Sequence, residues 1–349
     1  MACERTARPI PAQQMCRQFS VVLLDSPPSG QGGKNAPADD NMRIALVASL
    51  MAAAASLCGC SIKHIAVNKI GDAFAGSGAT FASDDDPELV RAAAPFSLKL
   101  VESLLAESPR HEPLLLAAAS GFTEFAYAFV QQDCEETEDK DLAAAEALRG
   151  RARRLYLRAR DYGLRGLEVR HRGFGAALRA DPQKAVRLAA AKDVPLLYWT
   201  GTAWAGAISD SKDNPDLIAD LPIVEAMMER ALELDERFGD GALHCFFIAY
   251  EMSRPGGTEE AAQRAKSHFD RAMALSGGGM ASPWVSWAEE VCIQKQDLAG
   301  FRAALEKALA VDADAKPEWR LVNLVMQRRA KWLLGRADQL FLKTENPGQ

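Results

Sequence analysis

Histidine and cysteine, the residues that most often bind metal ions or act in catalysis, are scarce in this sequence. Its 349 residues include five histidines and seven cysteines, which form neither a Cys-x-x-Cys pair nor a histidine pair at zinc spacing. No serine lies in a Gly-x-Ser-x-Gly elbow, and the glycine-rich stretch at 76–80 contains no phosphate-binding lysine. We therefore predict no metal site, no cofactor and no enzymatic activity, and we expect His244 to be a core residue of an apolar helix. An enzyme whose acid and base come from distant helices is the alternative.

An excess of positive charge is also missing. The formal net charge is -6 and the isoelectric point is near 5.6, which argues against nucleic acid as a partner. One segment departs from this balance, because seven arginines lie between Arg149 and Arg165, directly after an acidic run at 133–141. We interpret this segment as an ion-paired, solvent-exposed helix face, with a surface for docking a partner as the alternative.

One short sequence motif occurs three times between residues 221 and 312. Its copies start 41 and then 36 residues apart, at Met228, Phe269 and Leu305. In the first copy apolar residues recur at steps of three and four, which predicts an amphipathic helix. Each copy is expected to end a helix and to be followed by a turn and a partner helix, and the partner helices are predicted to begin near Ala242, Pro283 and Glu318.

These repeats predict the fold class. Helical hairpins repeated at this spacing are typical of tetratricopeptide-like arrays, whose units bury their apolar faces only by stacking. We predict an all-α array of the α-solenoid type over residues 87–345, with at least four hairpins, an inserted helix at 174–191 and no sheet. No single copy carries the full tetratricopeptide consensus. In the last repeat, Ala303, Ala304 and Ala308 are predicted to form a buried face.

The N-terminal region is different in kind. Residues 1–41 are rich in proline, glycine and serine, and we predict a disordered leader that precedes the true start at Met42. Residues 42–59 read as a signal peptide, because a short positive start precedes an apolar run that is too short to span a bilayer. The ending Leu57-Cys-Gly-Cys60 resembles a bacterial lipobox, which implies lipidation of Cys60 and, with serine next, sorting to the outer membrane. Residues 60–86 would then be anchor and linker. A buried apolar helix is the alternative for the run.

Several longer segments resemble one known family. They are Ser103-Leu-Leu-Ala-Glu-Ser-Pro109 with the helix to Phe129, the segment 151–164, Leu197-Tyr-Trp-Thr-Gly-Thr-Ala-Trp204, Gly239-Asp-Gly-Ala-Leu-His244 and the segment 317–332. Together they are similar to the T-component family of TRAP transporters, the TatT lipoproteins, from Cys60 to Phe341. The resemblance implies an all-helical, periplasm-facing homotrimer with pores that lead to its concave faces. It also implies pairing with a periplasmic solute-binding P-component and no site for ATP. A helical-repeat scaffold for envelope assembly is the alternative function.

Aromatic residues are concentrated in the predicted second helices of the hairpins. Trp199 and Trp204 are five residues apart, which turns them roughly 140° from each other on a helix. Tyr127 diverges in the same way from Phe125 and Phe129. We therefore predict a groove for an extended partner segment or a small apolar solute, lined by Tyr127, Trp199, Trp204, Trp284 and Trp287. Packing of these rings between neighbouring hairpins is the alternative.

Overall fold

The computed structural model describes residues 67–73, 75–76, 78–254 and 258–342. The predicted leader, signal peptide and lipidated Cys60 lie outside the described residues, and those predictions stay untested. Residues 67–73 are helical. Ten longer helices follow, which we number in chain order: α1 Pro87–Glu107, α2 Glu112–Glu138, α3 Leu142–Arg170, α4 Val194–Ser209, α5 Leu221–Leu234, α6 Ala242–Ser253, α7 Thr258–Ser276, α8 Ser282–Cys292, α9 Leu298–Leu309 and α10 Arg320–Gly335.

Short helical segments fill most of the remaining chain. They are Gly78–Ala82, Phe174–Ala180, Pro182–Ala185, Val186–Leu188, Ala191–Asp193, Pro215–Ile218, Phe238–Asp240, Pro317–Trp319 and Ala337–Leu340. Within the described ranges there is no strand. The prediction of an all-α helical array is confirmed, including the helical insertion that separates α3 from α4.

The repeated motif ends a helix in each of its three copies. Helices α5, α7 and α9 end at Leu234, Ser276 and Leu309, and their partner helices begin within three residues of the predicted positions. Gly241 shows why glycine is needed in the first turn. Its φ is 106°, and a Cβ there would lie 3.0 Å from the Cα of Ala272 on α7. A side chain at this position would be strained and would push the neighbouring hairpin away.

Helix α1 begins as the sequence predicts. The Asp86 side chain accepts hydrogen bonds from the backbone amides of Glu88 and Leu89, both at 3.0 Å, and Pro87 occupies the first turn. An aspartate cap with proline directly after it satisfies amide groups that have no partner inside the helix.

Helix α2 is long and apolar enough to cross a membrane by length and composition, but more than half of its most apolar stretch is buried inside the protein. Phe122, Phe125 and Phe129 all face this core, as their shared helix face predicts. Helix α2 packs against α1, α3 and α4, so its apolar composition is explained by these neighbours.

One expected face of α9 needs correction. Ala304 and Ala308 are buried against the core of the last hairpin, but Ala303 is exposed. Ala303 is one residue, or about 100°, from Ala304, and this rotation carries it past the edge of the buried stripe.

Candidate functional site

The last long helix packs against the first hairpin. Arg329 of α10 is buried, and its guanidinium reaches Glu135 of α2 at 2.9 Å and Glu289 of α8 at 2.8 Å. The Tyr127 hydroxyl of α2 also contacts the sulfur of Met326 on α10 at 3.7 Å. The two ends of the helical array are therefore joined, and their contact includes an ion-pair triad around the buried Arg329.

Further ion pairs extend this contact, which we call the seam. Arg328 lies 2.9 Å from both Asp133 and Glu136, and Arg336 lies 3.0 Å from Asp139. The acidic run therefore serves mainly the last helix. Glu138 of that run pairs with Arg149 of the neighbouring basic segment at 2.8 Å. Two other arginines of the segment have ion pairs elsewhere, Arg158 with Glu102 and Arg160 with Asp161, so the predicted ion-paired face is observed for part of the segment.

One face of α2 remains uncovered after its packing against α1, α3, α4 and the seam. Its half-buried or exposed residues recur at steps of three and four and include Ser120, Glu124 and Tyr127. We call the side to which this face points the interior face. Glu124 is the most telling residue there. Its side chain is exposed, yet the surrounding protein raises the pKa of its carboxyl to about 7 by desolvation. The Glu124 carboxyl therefore reaches solvent while the protein atoms around it disfavour its charged form.

Helix α4 contributes to the same face. Tyr198 and Trp199 are half-buried neighbours whose rings meet edge-on at 5.0 Å. Burial raises the pKa of Tyr198, and negative charge on Cys245 of α6, Glu124 and Tyr127 would raise it further. These groups are therefore close enough to interact electrostatically across three helices. Burial also raises the pKa of Cys245 to about 12, so its thiol stays protonated and unreactive near neutral pH.

Helix α8 supplies a second acid. Burial, with the nearby charge of Glu289, raises the pKa of Glu290. Burial likewise raises the pKa of Tyr127 to about 12, and Glu290 acts on its hydroxyl. Neither Glu124 nor Glu290 forms a hydrogen bond or ion pair with another described residue. Glu290 thus interacts electrostatically with Tyr127, and Glu124 and Tyr127 interact electrostatically with Tyr198.

Wide π-turns bring two of these residues to the interior. The turn Ala126–Gln131 contains Tyr127, and the turn Trp287–Cys292 contains Glu290. A π-turn inserts one extra residue into a helix and rotates the residues that follow, and such turns recur at functional sites. The local sequence carries no clear signal for them.

The structure separates the five aromatic residues that we predicted to line a groove. Tyr127 is half-buried at the interior face, and Trp199 is half-buried beside Tyr198. Trp204 is a core residue with 2% of its surface exposed, and its indole nitrogen donates to Asp220 at 3.1 Å. The expected divergence of the two tryptophans on α4 is thus observed, but Trp204 does not line the interior.

Trp284 and Trp287 occupy a third environment. Their rings pack on Phe269 of α7 at 4.9 and 5.2 Å, and the Lys307 ammonium of α9 lies 4.5 Å from the Trp284 ring. These two tryptophans therefore fill the contact between neighbouring hairpins, which was the alternative reading for them.

Sequence reasoning missed Glu124 and Glu290 as interior residues. A weak signal was present, because Glu124 is the one acid between Glu112 and Gln131 in an otherwise apolar helix. Glu290 belongs to an acidic pair that reads as solvated. His244 is buried and forms a 2.9 Å contact with His268, and burial lowers its pKa to about 4, as expected of a core histidine. Within the described residues, no three His, Cys, Asp or Glu side chains are grouped to hold a metal ion.

Comparison with known proteins identifies the family. The model of the TRAP transporter T-component family matches residues 83–341. The chain is also 29% identical over 305 residues to an uncharacterized protein of Treponema pallidum (strain Nichols), a match that covers 81% of this chain and 94% of the relative. The family consists of non-enzymatic, transport-associated components, which work with a TRAP transporter of the cell envelope. Since the matched region spans most of its length, the chain belongs to the T-component family of TRAP transporters.

Proposed function

We propose that this protein is a non-catalytic scaffold that assists TRAP-type solute uptake by engaging a periplasmic solute-binding P-component. The family match over residues 83–341 carries this proposal. The ion-paired seam supports it, because contact between the first and last hairpins holds the interior face in one arrangement to which a partner or solute can bind. Transport of this kind draws on ion gradients, so the role needs no nucleotide site.

Capture of the partner tests this role. The chain, immobilised through its C-terminus, should retain the purified P-component encoded with its TRAP membrane subunits, and deletion of the chain should slow uptake of that system's solute. Normal uptake in the deletion strain, together with defects in outer-membrane assembly, would instead support the envelope-assembly role.

We further propose that the protein is anchored in the outer membrane through lipid on Cys60 and faces the periplasm. The apolar run and the ending Leu57-Cys-Gly-Cys60 support this. One acyl chain binds a membrane only marginally, whereas two or more hold a protein stably. Mass spectrometry of the mature protein should find an acylated N-terminal Cys60. Cys60→Ala should abolish processing and lipidation at this position. A variant that is still processed and still found in the membrane fraction would refute the anchor.

Homotrimer formation is part of the same proposal and rests on family membership alone. Light scattering on a chain that lacks residues 1–60 measures it directly. A species of three times the monomer mass is expected, and a strictly monomeric protein at tens of micromolar would remove the trimer from the proposal.

The interior face is the proposed contact site for a small apolar solute or a partner segment. Tyr127, Tyr198 and Trp199 supply aromatic surface, and the raised pKa of Glu124 keeps much of that acid neutral near pH 7. The apolar dye Nile red is a suitable probe, since its fluorescence rises on burial. Trp199→Ala should weaken dye binding with little loss of stability, while Trp332→Ala, a half-buried tryptophan on α10 beside Arg336, serves as a control for loss of an indole elsewhere.

A further inference from the structure

Four arginines form an exposed stripe on helix α3. Arg151, Arg154, Arg158 and Arg165 are all exposed, and their spacing of three, four and seven residues keeps them on one side of the helix. The stripe extends for about 21 Å along the helix axis. Arg154, Arg158 and Arg165 also line a surface groove of about 450 Å³, together with Leu157, Asp161 and Tyr162. We call the four arginines the basic face.

Ring faces and a carbonyl, rather than carboxylates, hold most of these guanidinium groups. Arg151 lies 5.7 Å from the Phe125 ring centroid, and Arg165 lies 5.1 Å from that of Tyr162. Arg154 has no hydrogen bond or ion pair with any other residue in the described part of the chain. Cation–π contacts orient a guanidinium without neutralising it, so these three charges stay available to an external anion.

The acids of this region compensate the basic face only in part. Arg158 is 3.6 Å from Glu102, which also pairs with Lys99. Asp161 lies within the groove, but its carboxylate is bound by Arg160 at 2.8 Å. The groove therefore keeps a net positive charge.

The start of the described chain lies beside one end of the basic face. The Ser108 hydroxyl donates to Asn68 at 2.8 Å, and His111 lies 3.2 Å from Asp72, so residues 67–73 pack on the turn between α1 and α2. Arg165 donates to the Pro109 carbonyl of the same turn at 3.1 Å. Cys60 precedes Asn68 by eight residues, which span at most about 28 Å when fully extended. A lipid on Cys60 therefore lies within that distance of the turn.

We propose that the basic face rests on anionic phospholipid headgroups of the leaflet that holds the lipid anchor. This inference rests on the proposed lipidation of Cys60. Guanidinium groups match phosphate oxygens in a bidentate geometry, and an extended stripe fits a headgroup plane better than it fits a single small anion. A short tether beside the stripe raises the local concentration of headgroups. The contact would orient the protein with α3 and the turn between α1 and α2 toward the membrane.

Vesicle binding tests the proposal without the lipid. All the described residues belong to one compact unit that begins after Cys58, so a chain that lacks residues 1–60 is a suitable sample. It should co-sediment with vesicles that contain phosphatidylglycerol and not with vesicles of phosphatidylcholine alone, and added salt should weaken binding. Each arginine near an anionic surface is expected to contribute about a fivefold increase in binding. Two such factors multiply to about 25. The double variant Arg151→Glu with Arg154→Glu should therefore weaken binding by about 25-fold or more.

A matched variant controls for net charge. Arg302→Glu with Lys331→Glu makes the same charge change at exposed positions on α9 and α10, and it should retain vesicle binding. Equal losses in the two variants, or equal binding to both vesicle types, would overturn the proposal. A third outcome would make the basic face a protein-docking surface. The parent chain would then bind the purified P-component but not the vesicles, and the double variant Arg151→Glu with Arg154→Glu would not bind the P-component. The lipid anchor is tested separately, because mass spectrometry of the mature protein shows whether its N-terminal Cys60 is acylated.

Discussion

Trp199 and Trp204 lie five residues apart on α4 and occupy opposite environments. The Trp204 indole is buried in the core and donates a hydrogen bond to Asp220, whereas Trp199 is half-buried beside Tyr198. Trp204 is therefore a structural core residue, whereas the Trp199 ring is accessible to solvent.

Substitution of these two residues should have unequal effects on stability. Trp204→Ala removes a fully buried indole and leaves a cavity, so the free energy of unfolding should fall by about 3–5 kcal/mol. Trp199→Ala should cost about 1 kcal/mol or less, because its ring already contacts solvent. Urea unfolding followed by circular dichroism measures both. Similar losses would mean that Trp199 also belongs to the core.

Removal of the buried cation at the seam should be costly. Arg329→Met removes the cation that pairs with Glu135 and Glu289. Only 6% of the Arg329 side chain is exposed. Breaking a buried pair from one side typically costs about 3–5 kcal/mol. Adding Glu135→Gln and Glu289→Gln to this variant should restore part of the loss.

The neighbouring ion pair provides the comparison for that variant. Arg336→Met breaks a pair with Asp139, whose side chain is about half exposed, and should cost at most about 1 kcal/mol. Thermal denaturation at low and high salt separates the two cases. If Arg336→Met proved as damaging as Arg329→Met, burial would not explain the strength of the seam.

Two alanines on α9 give a test of the packed repeat. Ala308→Arg places a charge in the core of the last hairpin and should destabilise the fold by several kcal/mol, roughly the cost of an unpaired buried charge. Ala303→Arg makes the same change at an exposed position and should fall within about 0.5 kcal/mol of the parent. Equal melting temperatures for the parent and Ala308→Arg would contradict the placement of this face.

Glu124 should make stability depend on pH. Its pKa rises from 4.5 to about 7 in the folded protein, so the folded state keeps a proton that the unfolded state has lost between these values. The free energy of unfolding therefore falls as the pH rises through this window. Above pH 7 the folded state bears the full cost of an ionised Glu124. Glu124→Gln should raise the melting temperature at pH 8 and change it little at pH 4.5. The exposed Glu306→Gln on α9 is the control, and a Glu124→Gln effect that did not vary with pH would contradict the placement.

Sequence patterns captured the local part of this fold. Apolar spacing and glycine turns within about 40 residues determined the three repeated hairpins, because these signals depend on neighbours along the chain. The seam depends on contacts between residues 192 to 197 positions apart. No periodicity reports such a pairing, so no sequence pattern indicated that the acidic run at 133–141 meets the last long helix.

The candidate site was less accessible to sequence reasoning than the fold. Angular spacing distinguished Trp199 from Trp204 and Tyr127 from its phenylalanine neighbours, although it did not say which tryptophan was buried. Glu124 and Glu290 were missed because their significance comes from what surrounds them. Desolvation by other helices, rather than the identity of the residue, makes each of them an unusual acid.

The seam also limits how this protein can evolve. Linear helical arrays can gain or lose internal units, since each unit contacts only its neighbours and special capping units close the two ends. Here the first and last hairpins protect each other's exposed ends, and an additional hairpin would carry Arg328 and Arg329 away from Asp133 and Glu135. Duplication would thus break the ion pairs of Arg328 and leave the buried Arg329 with Glu289 alone, and the number of hairpins is expected to stay constant among relatives that keep these residues.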